Sequence, residues 1–240
     1  MRTKILLFLL VLFVGGSAYA GDFWKEKDYR RWSKKECEKL LKNSPWAKRW
    51  IESRVLRQEL SRPTGPEMQA KPEIVYEVQL RSALPIRQAL VQMAQINQKY
   101  DEMPPEDQRD LDQQAEKFLA KRFPNRVVLH VAYSANLGLD DRELARYWRK
   151  QTTDTLRNFI FLIGGKGKKV PLLRYIAGEG QRREFQLVFP RHHEGRPLLG
   201  PGDKSLALEF PHPRIGVLGE RRAFIEFKVK KMLVDGRVVY

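Results

Sequence analysis

Apolar and polar residues divide the chain into a short apolar leader and a longer amphipathic part. Residues 5–14 are an unbroken apolar run of ten that follows two basic residues, and Ala18 and Ala20 supply a small-x-small cleavage site. This order is typical of a secretory signal peptide cleaved before Gly21. The run is too short for a membrane-spanning helix, which needs about 20 apolar residues, and no later segment is long enough. We therefore predict a signal peptide at residues 1–20 and an exported periplasmic or extracellular chain without a transmembrane segment.

The first element after the leader is a capped helix. Ser33 and Glu36 have the spacing of a capping box, which predicts a helix that begins at Lys34. Cys37 lies on the apolar stripe of that helix and is interpreted as a packing residue. Pro45 ends the helix. The pattern over residues 46–60 fits a strand or a short helix, and the proline-bearing stretch up to residue 72 predicts a connection without a core of its own.

In the middle of the chain the spacing of apolar residues changes from that of a strand to that of helices and back. Residues 74–80 alternate apolar and polar positions, which predicts a half-buried strand. The apolar residues of 82–100 and of 106–122 then have helical spacing, and a proline pair separates the two segments. This predicts a helical hairpin whose first helix begins at Ser82. Residues 126–134 are almost continuously apolar, which is typical of an interior strand. We interpret His130 in that strand as a core histidine bonded to a backbone carbonyl.

Asp140 is placed to cap a further helix. From about residue 158 onward the apolar pattern is that of strands, and Asp235-Gly236 predicts a hairpin turn. The predicted strands are residues 159–163, 170–177, 184–190, 206–210, 223–233 and 237–240. The fold class is therefore α+β: an N-terminal helix, a central helical hairpin packed on a sheet, and a C-terminal antiparallel, sandwich-like β-rich layer. The predicted organisation is a signal peptide (1–20), an aromatic and basic helical segment with a linker (21–72), and an α+β domain (73–240).

Charge and cysteine content narrow the class of protein further. The 240 residues include 45 Lys and Arg against 29 Asp and Glu, a formal charge of +16. Such a field favours anionic partners, although general envelope electrostatics and solubility are the simpler explanation. Cys37 is the only cysteine, so no intramolecular disulfide can form and packing must stabilise the exported chain.

Aromatic and basic residues cluster at the start of the mature chain. Tryptophan and arginine are the residue types that dominate binding energy at interfaces. The candidate binding residues are Trp24, Trp32, Trp46, Trp50, Arg30, Arg31, Lys48 and Arg49. They would suit a protein partner or an anionic envelope polymer, and we do not expect specific nucleic-acid binding. The alternative is that the indoles clamp the first helix to the sheet, since each buries a large apolar area.

Two further patterns invite a chemical interpretation. The segment Gly164-Gly165-Lys166-Gly167 resembles a phosphate-binding loop, but the register is wrong and a strand follows, so we predict a basic hairpin turn. A late group of metal-ligating residues would define the alternative function, a metal-dependent hydrolase. That group is His192, His193, Glu194 and His212. Its spacing is poor, because adjacent residues of an extended chain point to opposite sides. We predict no cofactor, and a non-enzymatic binding or envelope-associated protein.

Three stretches together resemble a family of uncharacterised exported bacterial proteins. Residues 29–48 contain the pattern Trp-Ser-x-x-Glu followed by Ser-Pro-Trp-Ala-Lys, residues 82–89 read Ser-Ala-Leu-Pro-Ile-Arg-Gln-Ala, and residues 227–232 read Phe-Lys-Val-Lys-Lys-Met. The resemblance implies secretion and a shared architecture. It implies no activity, cofactor or catalytic residue.

Overall fold

The computed structural model describes residues 22–53, 72–136 and 141–240, which form six α-helices and thirteen strands. The helices are α1 Phe23–Glu26, α2 Lys34–Lys42, α3 Leu84–Asn97, α4 Pro105–Ala120, α5 Asp141–Lys150 and α6 Thr153–Leu156. The strands are β1 Ala47–Ser53, β2 Glu73–Leu80, β3 Arg126–Ala135, β4 Phe161–Ile163, β5 Lys169–Pro171, β6 Arg174–Ala177, β7 Glu184–Pro190, β8 His192–His193, β9 Arg196–Pro197, β10 Ser205–His212, β11 Arg221–Lys228, β12 Leu233–Val234 and β13 Arg237–Val238. The predicted signal peptide, most of the linker and the Asp140 cap lie outside the described residues.

The predicted capped helix is confirmed in detail. The amide of Glu36 donates to the Ser33 hydroxyl, and the amide of Ser33 donates to the Glu36 carboxylate at 2.7 Å. Both bonds satisfy donors that a helix N-terminus leaves unpaired. Cys37 and Leu40 on the inner side of α2 are fully buried. The helix therefore places its apolar stripe in the core, as its spacing indicates.

A five-stranded antiparallel sheet forms the larger layer, in the order β1-β2-β3-β7-β6. β3 lies between β2 and β7, which confirms that it is an interior strand. β1, which belongs to the segment predicted as N-terminal, pairs with β2 from Ala47 to Ser53. The stretch whose pattern was ambiguous is thus a strand over its described residues, and it joins the same sheet as the strands of the predicted α+β domain.

A second antiparallel sheet, in the order β11-β10-β4-β5, faces the first across an aromatic core. Tyr76 of the first sheet and Phe210 of the second pack edge to face with ring centroids 5.1 Å apart. Trp148 of α5 packs against Tyr76 at 6.1 Å in the same cluster. The mixed helix and strand content, the N-terminal helix and the β-rich C-terminal part confirm the predicted α+β class.

The helical hairpin is confirmed, but its start differs from the prediction. α3 and α4 pack against each other, and Ile86 and Ala89 of α3 belong to the core. The residue before the first helical turn is Ala83, with Pro85 in that turn, and Ser82 is not the cap. The Ser82 hydroxyl instead accepts a hydrogen bond of 3.3 Å from the Val128 amide. The hydroxyl that the local pattern predicts as a helix cap therefore binds the backbone of β3 instead.

Two predicted strands are interrupted. Residues 170–177 split into β5 and β6, which lie in different sheets. Residues 223–233 end as a strand at Lys228, and residues 229–232 form a 3-10 turn that buries Val229 and Met232. Both breaks have one cause: an apolar run can be buried by turning from one layer to another, and alternation alone does not reveal the turn. The Asp235-Gly236 hairpin is confirmed, with positive φ at both turn residues.

Among the described residues, no helix is both long and apolar enough to cross a membrane.

Candidate functional site

An open concavity of about 720 Å³ lies on one face of the five-stranded sheet. Strands β3, β7 and β6 form its floor, and the end of α4 with residues 121–126 forms a wall. We call it the basic concavity because of its charged lining. The basic residues are Arg81, Arg87, Lys121, Arg122, Arg126 and Arg182, and the single acidic residue is Glu184. Six cations against one carboxylate give the concavity a strong positive excess.

The sheet register explains how distant residues reach this face. Gln79 of β2 pairs with His130 of β3, His130 pairs with Gln186 of β7, and Gln186 pairs with Ile176 of β6. Directly opposite residues of an antiparallel sheet project to the same side. The four side chains therefore form one row across the face opposite the aromatic core. Arg81 directly follows the last residue of β2 and lies at the edge of the concavity.

Glu184 holds the floor of the concavity together. Its Oε2 lies 3.1 Å from His130 Nε2, and its Oε1 lies 3.6 Å from Arg182 Nη1. One carboxylate thus serves an imidazole and a guanidinium, and it also interacts electrostatically with Arg81. Its negative charge is shared among more partners than it can neutralise.

Three buried nitrogen atoms at the site have no hydrogen-bond partner among the described residues: Arg81 Nε, Arg87 Nε and His130 Nδ1. Buried polar atoms are nearly always paired with protein or water, so these atoms call for water or a ligand as their partner. Burial lowers the pKa of both Arg81 and His130. For His130 the Arg81 charge acts in the same direction, while Glu184 opposes it.

Arg87 fixes the wall rather than offering its charge to a ligand. Its Nη1 donates to the carbonyl oxygens of Phe118, Leu119 and Lys121 at 3.0, 2.9 and 2.7 Å. Its guanidinium also lies 5.3 Å from the centre of the Phe123 ring. These contacts satisfy the carbonyls that a helix C-terminus leaves unpaired. The end of α4 is therefore held rigidly beside the concavity.

A second concavity of about 480 Å³ lies between residues 29–31 and the helical hairpin. Its carboxylate Asp112 already accepts hydrogen bonds from the Tyr100 hydroxyl at 2.7 Å and from Gln95 Nε2 at 3.3 Å. Asp112 is thus engaged within the fold, and the basic concavity is the better candidate.

The predicted tryptophan residues lie mainly inside the protein. Trp32 and Trp46 are buried, at 2% and 0% exposure, while Trp24 and Trp50 are half-buried. The Trp32 indole donates to the Lys27 carbonyl at 3.0 Å. Side chains held in this way contribute packing, which is the alternative that the sequence left open.

The predicted basic residues lie on two separate elements. Arg30 and Arg31 are exposed on the 3-10 turn of residues 29–31. Lys48 and Arg49 are consecutive on β1, so they project to opposite faces of the sheet. Burial lowers the pKa of Lys48, and the charges of Lys231 and Lys228 act in the same direction. None of these four residues lines the basic concavity.

The late histidines serve different parts of the fold. His212 is 1% exposed, and its Nδ1 lies 3.1 Å from the Tyr76 hydroxyl in the aromatic core. His192 is exposed on β8, and His193 beside it lies 3.9 Å from Glu194. Within the described ranges, no group of three His, Cys, Asp or Glu side chains is arranged to hold a metal ion. The geometry therefore gives the hydrolase alternative no support.

Sequence reasoning missed the site that the structure assembles. His130 is buried, as the sequence predicts, but its Nε2 pairs with Glu184, so the predicted backbone-carbonyl partner is wrong. The alternation of apolar and polar residues along β3 and β7 does place His130, Glu184 and Gln186 on the face away from the core. This alternation was the signal from which a polar site on that face could have been predicted. No spacing rule links these positions to Arg81 or Arg182, because the strands that bring them together are distant in sequence.

No family model, curated protein or solved structure matches this chain. The resemblance to exported bacterial proteins therefore stays a prediction.

Proposed function

We propose that this protein is an exported, non-enzymatic binding protein that holds an anionic ligand in the basic concavity. The observation that carries the proposal is the half-buried guanidinium of Arg81, whose Nε lacks a partner among the described residues, beside the unpartnered Nδ1 of His130. Export rests on the predicted leader, residues 1–20.

A ligand anion would supply what the site lacks. A cation removed from water is unfavourable unless an anion or several acceptors replace its hydration. Glu184 supplies one negative charge but is engaged by His130 and Arg182. A carboxylate or phosphate accepts hydrogen bonds from a guanidinium in a planar, two-pronged geometry that suits arginine. Because Glu184 accepts the Nε2 proton of His130, the Nδ1 atom of His130 is an acceptor, and the anionic group belongs at the free Nε–H of Arg81.

The size of the concavity favours a small molecule, or one end of a polymer, over a long chain. Sites for small ligands have volumes of about 300 to 1,000 Å³, and the basic concavity has about 720 Å³. The positive charge of the whole chain would raise the local concentration of anions. Among the two partner classes that the sequence allows, an anionic envelope component thus fits better than a protein.

Titration with sodium acetate, followed by amide chemical shifts at low ionic strength, tests the proposal. We expect saturable shifts concentrated at Arg81, Val128, His130 and the 182–188 segment, and weaker binding as sodium chloride is added. Arg182→Gln removes one exposed charge of the site and should reduce the affinity several-fold. Arg237→Gln is the matched control, because it removes an exposed charge on β13, which belongs neither to the five-stranded sheet nor to the concavity. Shifts that do not saturate, or that change equally in both variants, would contradict the proposal.

A further inference from the structure

We propose that the ligand is an amphiphilic anion, with its charged head at Arg81 and an apolar tail along the floor and wall of the concavity. This inference rests on the proposed function and names the class of its ligand. It follows from the apolar residues that share the concavity with the cations.

The apolar lining is larger than a site for a small inorganic anion requires. Ile176 and Phe118 are 36% and 40% exposed, among the large hydrophobic side chains that the described surface leaves open to water. Both line the basic concavity, together with Val128 and Val188 of the floor. Apolar surface that remains exposed within a concave, charged site is typical of ligand contact, because its burial then contributes to binding.

The order of residues across the sheet sets the direction of the tail. His130, Gln186 and Ile176 are consecutive cross-strand neighbours on β3, β7 and β6. Neighbouring strands lie about 4.8 Å apart, so Ile176 lies about 10 Å from His130 along the floor. Val128 and Val188 form the adjacent row and are themselves paired. A head bound at Arg81, which follows β2 next to Val128, can therefore run its tail over the valine pair toward Ile176.

Phe118 provides the apolar surface of the wall. Its carbonyl oxygen is one of the three that Arg87 holds, so its backbone is fixed although its ring is exposed. A fixed backbone lowers the entropic cost of closing an aromatic ring onto a ligand. The tail is thus placed between the Phe118 ring and the floor of the sheet.

A series of straight-chain carboxylates tests the inference: acetate, butanoate, hexanoate and octanoate, with octanol as the neutral control. We expect the affinity measured by isothermal titration calorimetry to rise with chain length, up to about fourfold for each methylene that is fully buried. Octanol should bind far more weakly than octanoate. Ile176→Ser should flatten the rise with chain length, and Arg182→Gln should weaken the binding of every member.

Different failures separate the two proposals. Equal affinities for acetate and octanoate at this site would overturn the amphiphilic ligand and leave the anion-binding function standing. Octanol that binds as tightly as octanoate, or no carboxylate binding at all, would overturn both. Ile176→Ser should fold normally, because Ile176 is an exposed side chain on an edge strand. A loss of octanoate affinity in this variant would therefore report on the tail and not on unfolding.

A vesicle arm identifies the source of the amphiphile. Octanoate binding with no sedimentation on phosphatidylglycerol vesicles assigns a free amphiphile, and sedimentation that octanoate reverses assigns a membrane lipid. Sedimentation without octanoate binding would show attraction to a charged surface alone and would overturn the inference.

Discussion

The indole Nε1 of Trp46 donates a hydrogen bond of 2.6 Å to the carbonyl oxygen of Val239, 193 residues later in the chain. Trp46 is fully buried directly before β1, and Val239 directly follows β13. This bond fastens the C-terminal hairpin to the N-terminal segment. A tryptophan that the sequence offered as a binding residue is thus part of the closure of the fold.

Trp46→Phe should lower the free energy of unfolding by about 2 to 3 kcal/mol, because it leaves the Val239 carbonyl without its donor and creates a small cavity. Trp24→Phe is the matched control, since the buried Nε1 of Trp24 has no partner among the described residues. Urea unfolding measures both. Equal losses in the two variants would show that the bond to Val239 contributes nothing specific.

His212 should make the protein less stable as the pH falls below neutrality. Burial lowers the pKa of His212 from 6.5 to about 4, and the nearby Arg221 acts in the same direction. The Tyr76 hydroxyl accepts from Trp148 Nε1, so its own proton is donated to His212 Nδ1, which must remain unprotonated. The unfolded chain takes up this proton first, and the native state loses stability as the pH falls from about 6.5 to about 4.

The size of this effect follows from the pKa difference, at about 3 kcal/mol once the pH reaches 4. Carboxylates also titrate in this range, so the measurement is the difference between the wild type and His212→Gln. We expect that difference in unfolding free energy to shift in favour of the variant as the pH is lowered from 7 to 4. A difference that does not change with pH would refute the assignment to His212.

Arg87→Met should destabilise the protein by about 2 to 4 kcal/mol, because it removes the charged donor of three carbonyl oxygens at the end of α4. Arg109→Met is the control: Arg109 Nε donates to the Pro105 carbonyl from an exposed position, and its loss should cost less than about 0.5 kcal/mol. Thermal unfolding compares them. Acetate titration of Arg87→Met should also show weaker binding, since the wall of the basic concavity loosens.

Cys37 should resist thiol reagents in the native protein. The side chain is fully buried, and burial, aided by the Glu36 charge, raises the pKa of the thiol to about 11. The thiolate is the reacting form, so at pH 8 the reaction with an aromatic disulfide should be at least about 100-fold slower than after unfolding in guanidinium. Rapid labelling without denaturant would mean that α2 opens readily.

The predicted signal peptide at residues 1–20 implies that the protein is exported and cleaved. N-terminal sequencing of the protein from its native host should begin at Gly21. Replacement of Ala18 by arginine should block cleavage, because the site requires small residues, whereas replacement by serine should not. Recovery of chains that begin at Met1 in the cytosolic fraction would contradict export.

Local patterns were sufficient for much of the fold. The capping box of Ser33 and Glu36, the period of β2 and the Asp235-Gly236 turn each depend on interactions within a few residues, and all three appear in the structure. Where an element depends on its neighbours, the sequence was less informative. Ser82 is the example, because its hydroxyl binds the Val128 amide of β3 instead of capping α3.

The sequence by itself determined the α+β class, because amphipathic period and capping are local properties of the chain. Only the tertiary structure decided where the charges meet. Arg81, His130 and Glu184 come from three segments, and the register of β2, β3 and β7 sets them around one concavity. Pairing between distant strands depends on the burial of the whole core, and no short stretch of sequence encodes it.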